Sequence, residues 1–109
     1  MHYSIHLGRS RSSARRQPPL VTLDLQQHAA IFCQNKELFV GYPEANGMSN
    51  YYGEAIYLGD EIRELRDELI ALEKVFNGND EVHPTLVRLL AVAERAIAKG
   101  LDIYCFSGC

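Results

Sequence analysis

The chain has 109 residues, 47% of them hydrophobic and 23% charged, with a formal net charge of −3. This is the composition of one globular domain with a single core, and it excludes a disordered or fibrous chain. No uninterrupted apolar run exceeds five residues, so no segment reads as a bilayer span, and the first six residues hold no apolar core of the kind a secretory signal needs. Together with three irregularly spaced cysteines, Cys33, Cys105 and Cys109, this points to a reducing, cytoplasmic setting, with Cys33 and Cys105 expected to be buried and inert.

In chain order, Tyr3, Ile5 and Leu7 alternate with polar residues and predict a strand. Residues 8–19 are polar, basic and proline-terminated, and read as a flexible loop. Val21, Leu23 and Leu25 predict a second strand over 20–26. Residues 29–34 and 37–42 read as a strand pair turning at Asn35-Lys36, and 43–53 as a turn region around Asn46-Gly47. A further short strand is expected at 55–58.

Two helices follow. Ile62, Leu65, Leu69, Leu72 and Phe76 recur at spacings of three and four and predict a helix over 60–76, with Asp60 and Glu61 in its first turn and Asn77-Gly78 as its stop. Pro84 opens a second helix over 84–99, with Leu86, Leu89, Leu90, Ala93 and Ile97 as its buried stripe and Lys99-Gly100 at its end. Residues 101–106 predict a strand buried on both faces. The expected architecture is a single α+β domain. It has a mostly antiparallel sheet of four to six strands, a helical hairpin on one face and a C-terminal strand.

No catalytic constellation, metal set or cofactor motif emerges. His2 and His6 share a strand face but stand about 13 Å apart, too far to chelate one ion. The glycines have neither Walker nor dinucleotide spacing, and no nucleophile elbow is present. A thiol enzyme would need Cys33 or Cys105 to meet His28 or His83 in space.

Charge is divided unevenly. Arg9, Arg11, Arg15 and Arg16 stand in the first sixteen residues without a carboxylate, whereas residues 54–83 hold nine carboxylates against three cations. The acidic helix makes Glu61, Glu64, Asp67 and Glu68 candidate contacts for a basic protein partner, although such a face also serves simply as a solvated surface. Asn46, Tyr51 and Tyr52 in the turn region are further candidates, because such residues combine contact area with adaptable hydrogen bonds; the alternative is that the tyrosines pack on the sheet. The four arginines support a second reading, a nucleic-acid-associated module that neutralises phosphates.

The stretches GEAIYLGDEIRELRDELIAL and LVRLLAVAERAIAKGLDIYCFSG give an acidic helix, an Ala-rich helix ending in Lys-Gly, and a final strand. This layout resembles small bacterial immunity proteins of polymorphic and contact-dependent inhibition toxins, over about half the chain. The resemblance implies a non-enzymatic cytosolic protein that binds and neutralises one toxin domain, often a basic nuclease, with no cofactor. The Arg-rich segment departs from what an acidic inhibitor requires.

Overall fold

A computed structural model describes residues 2–107. Cys109 and the end of the tail lie outside the described residues. The strands are β1 (Tyr3–Gly8), β2 (Val21–Leu23), β3 (Ala55–Tyr57) and β4 (Asp102–Ser107). The helices are α1 (Arg11–Arg16), α2 (Leu25–Phe32), α3 (Lys36–Phe39), α4 (Pro43–Asn46), α5 (Asp60–Val75) and α6 (His83–Lys99). The four strands form one fully antiparallel sheet in the order β2-β1-β4-β3, giving an α+β fold.

At the centre of the sheet β1 pairs with β4 in a six-residue register running from Tyr3↔Ser107 to Gly8↔Asp102. Alternation along these strands separates two faces. Tyr3, Ile5, Leu7, Ile103 and Cys105 enter the main core, together with Val21 and Leu23 of β2 and Tyr57 of β3. The stripe of Ile62, Leu65, Leu69, Leu72 and Phe76 from α5 belongs to the same cluster. From α6 it is Leu86, Leu89, Val92, Ala93 and Ala96 that are fully buried, while Leu90 and Ile97 are only partly so. That stripe is rotated slightly from the expected one, which placed Leu90 and Ile97 inside.

Both long helices end as their residues dictate. Gly78 follows α5 with φ of +92°, and Gly100 caps α6 with φ of +64° while the Leu101 N–H returns to the Ala96 carbonyl at 3.0 Å. This is the 6→1 bond that closes a helix through a left-handed residue.

Three expectations are corrected. The strand pair over 29–42 is instead α2 and α3. Asp24 accepts from the Gln27 N–H at 2.8 Å while the Gln27 side chain accepts from the Asp24 N–H at 2.9 Å, a reciprocal cap that starts a helix and cuts β2 short at Leu23. Helical spacing then carries His28, Ile31 and Phe32 inward together. The Asn35 amide, expected in a hairpin turn, donates to the carbonyls of Ala30 and Ile31 at 3.1 and 2.9 Å, closing the end of α2. The turn region 43–53 likewise begins with a helical turn, α4, opened by Pro43.

The third correction concerns residues 8–19. They contain α1, capped by Ser10 and Ser13 acting on each other's backbone N–H. This helix lies on the sheet face opposite the main core, where fully buried Ala14 packs with Tyr104 and Phe106. The sheet therefore carries helices on both faces, not on one. Close approach is possible because β1 ends in glycine: a Cβ on Gly8 would lie 2.7 Å from the Ala14 N and Cα atoms. Those are backbone atoms and cannot rotate away. Gly8→Ala is accordingly expected to lower stability by about 1–3 kcal/mol, the usual cost of overpacking, read as a reduced denaturant midpoint. An unchanged midpoint would mean that α1 is not held against β1 in this way.

Candidate functional site

The carboxylates of α5 gather around the short helix α4. Tyr42, which precedes α4, offers no side-chain cap. Glu68 supplies one from a distance, accepting from the Ala45 N–H at 2.9 Å and the Glu44 N–H at 3.2 Å. Its two oxygens satisfy amides that a helix start leaves unpaired. Glu61 is also used locally, accepting from the Leu58 N–H at 3.0 Å where the chain turns into α5.

Burial raises the pKa of Glu44, and the neighbouring carboxylates Glu64, Glu61 and Glu68 raise it further. Glu44 thus faces three glutamates of α5 from α4. Glu61 and Glu64 are exposed and Glu68 is half-buried. Asp67 is exposed as well, accepting from the Arg66 guanidinium at 3.1 Å in a surface pair. Such a pair is worth little to the fold.

The aromatic candidates part company. Tyr51 is buried and rests against Tyr3, His28 and Tyr52, with ring centroids 6.4, 5.2 and 5.3 Å away. His28 donates its Nε2–H to the Met48 carbonyl at 2.7 Å, fastening α2 to the loop before β3. Tyr51 therefore belongs to the core, while Tyr52 is 67% exposed. Asn46 ends α4, half-buried beside the glutamates' helix.

The four arginines diverge too. Arg11 makes a two-pronged pair with Glu54, Nε to Oε1 at 2.9 Å and Nη2 to Oε2 at 2.8 Å, which holds Glu54 below the usual carboxylate range. The guanidinium carbons of Arg11 and Arg15 stand 5.4 and 4.9 Å from the Phe106 ring centroid, within cation–π range. Arg9 lines a different cleft, and Arg16 is exposed. They form no single stripe of phosphate contacts.

A hydrogen-bonded chain under α1 was not anticipated from the sequence. His6 Nδ1 lies 2.9 Å from the Gln17 carbonyl oxygen, which can only accept, so Nδ1 carries the proton. In the neutral ring Nε2 then faces the Ser4 hydroxyl as an acceptor at 3.0 Å, in competition with the Phe106 carbonyl, to which the same hydroxyl donates at 3.4 Å. The i,i+2 spacing that places both on one strand face was visible; the return of Gln17 to cover His6 was not. This orients a serine toward a base, but Ser4 is paired on both sides, with Thr22 and Phe106, so the neighbouring strand amides are committed to the sheet. An acyl-transfer centre needs free donors for its oxyanion.

Of the cysteines, Cys105 is fully buried and its thiol is pushed up to about 12 by desolvation. Cys33, expected inside, is exposed, because the end of α2 turns it outward. His28 is occupied by Met48, and His83 Nε2 faces Glu73 Oε1 at 2.8 Å, so neither imidazole is bonded to a thiol. Among the described residues no three His, Cys, Asp or Glu side chains converge to hold a metal ion. Nor is any helix among them long and apolar enough to cross a membrane.

Two outcomes follow from this geometry. Glu44 has a folded pKa above its unfolded one, so its contribution to stability is full below the unfolded value and is lost as pH rises through the folded one. Glu44→Gln should raise the thermal midpoint at neutral pH and give no advantage below about pH 4, where the unfolded carboxylate is already protonated. Glu68→Ala should cost about 1 kcal/mol by leaving the α4 amides without an acceptor, whereas Glu64→Ala stays within about 0.5 kcal/mol of the parent; equal effects in denaturant unfolding would contradict the capping role.

No protein-family model, curated protein or solved structure matches the chain.

Proposed function

We propose that the chain is a non-enzymatic protein-binding module, a cytosolic immunity protein that neutralises a basic toxin domain through its α4–α5 face. The observation that carries this reading is the carboxylate cluster of Glu44, Glu61, Glu64 and Glu68, drawn together where Glu68 accepts from the Glu44 and Ala45 N–H groups, so that three members add to the rise in the Glu44 pKa that burial begins. Like charges held together weaken the free protein and are relieved by a cationic partner. Glu68 and Glu61 tie the cluster to backbone amides, so its exposed members are presented on a fixed frame. Preorganisation of that kind lowers the ordering cost of association. Exposed Glu64 and Asp67 are the residues left without a capping task, and exposed Tyr52 offers separate aromatic contact area.

The nucleic-acid reading has less support, since Arg11 is neutralised by Glu54 and the remaining arginines point to different places. The thiol-enzyme reading has none from Cys105, whose burial opposes the thiolate.

The test is calorimetry and surface plasmon resonance with the purified product of the adjacent gene. Glu64→Lys combined with Asp67→Lys is expected to weaken binding at least about tenfold, chiefly through a slower, more salt-dependent association, with unfolding unchanged. Parental affinity in that variant would remove the acidic face from the interface.

A further inference from the structure

Between α1 and the end of α6, three cations gather in one cleft that no acidic residue lines. A cleft of about 570 Å³ opens between the start of α1 and the last turns of α6. Arg9, Arg95 and Lys99 line it, with Ser10, Ser13 and Gln17, and no acidic residue does. Its apolar walls come from Leu7, Leu20 and Leu101. Asp60 and Asp102 instead line a neighbouring, smaller cleft beside Arg63.

Elsewhere the chain pairs its arginines: Arg11 with Glu54, and Arg66 with Asp67. Among the described residues none of the three cleft cations is in an ion pair. The negative end of α6 favours a cation in its last turn, which accounts for Lys99 alone. Arg95, one turn earlier, and Arg9, from the β1–α1 link, have no such reason to be there. Three positive charges brought from two distant segments into one concavity repel one another, and an anion removes that repulsion.

We propose that this cleft binds a phosphate-bearing small molecule, with Arg9, Arg95 and Lys99 as its charge contacts. Guanidinium forks match phosphate oxygens in pairs, and the cleft has the size of a small-ligand site. The Ser10 hydroxyl already accepts the Ser13 N–H at 3.2 Å, and its only other hydroxyl neighbour, Ser12 Oγ, is at the 3.5 Å limit. It can therefore donate to a phosphate oxygen. The proposal is independent of the α4–α5 face and of any protein partner.

Pyrophosphate titrated into the full chain at low ionic strength tests it by calorimetry. Expected are one-to-one binding that weakens as salt rises, a loss of at least about tenfold in Arg95→Gln combined with Lys99→Gln, and no change in Lys36→Gln. Arg9→Gln, exposed and outside any helix, should weaken binding as well and serves if the double variant does not fold. Absence of heat up to about 10 mM pyrophosphate, parental affinity in the double variant, or an equal loss in Lys36→Gln would overturn the assignment. So would a response confined to single-stranded oligonucleotides with none to pyrophosphate.

Discussion

Everything in this fold hangs on the pairing of β1 with β4, six residues from one end of the described chain against six from the other. Closing so long a loop carries an entropic cost that grows only slowly with its length. Burial on both faces offsets that cost. Ile103, Tyr104, Cys105 and Phe106 are consecutive and all buried, the odd pair under α5 and α6 and the even pair toward α1. On this ladder β2 adds to the free edge of β1, and β3 to the free edge of β4. The intervening helices divide between the two faces.

The division explains the two different charge environments. α1 can reach the second face only because Gly8 lets its backbone approach at Ala14. That contact brings Arg11 and Arg15 over Phe106 and leaves Arg9 facing the end of α6. On the first face α5 lies beside α4, and its outward carboxylates meet that helix's unpaired amides. The basic and acidic surfaces thus arise from the same topological choice.

Periodicity made the long elements legible. The spacings through Ile62, Leu65, Leu69, Leu72 and Phe76 admit only a helix, and the run of bulky residues at 103–106 suits only a strand with two buried faces. The stretch 29–42 has no such period. Its apolar residues fit either state, and the deciding signal was the Asp24-to-Gln27 cap a few residues upstream, which the alternation of Val21, Leu23 and Leu25 obscured. α1 was illegible for a different reason: it buries one residue, Ala14, and its polar surface resembles a loop. The acidic residues were visible as a group, but not their tasks. That Glu68 caps a helix some twenty-three residues earlier, or that Gln17 fixes the tautomer of His6, depends on tertiary contact alone.

Those tasks change what the acidic face means. An ordinary solvated helix surface spreads its carboxylates or matches them with cations at neighbouring turns. Around α4 the chain does the reverse, setting Glu44, whose pKa burial already raises, beside three other glutamates that raise it further. Capping explains Glu68 and Glu61, since each satisfies backbone amides. It does not explain Glu64, whose side chain is in no hydrogen bond or ion pair among the described residues and which adds to the rise in the Glu44 pKa. An exposed carboxylate with no capping task can be exchanged with little effect on the fold. Under the proposed reading Glu64 is therefore the carboxylate free to meet a partner, and its neighbours are the frame that holds it.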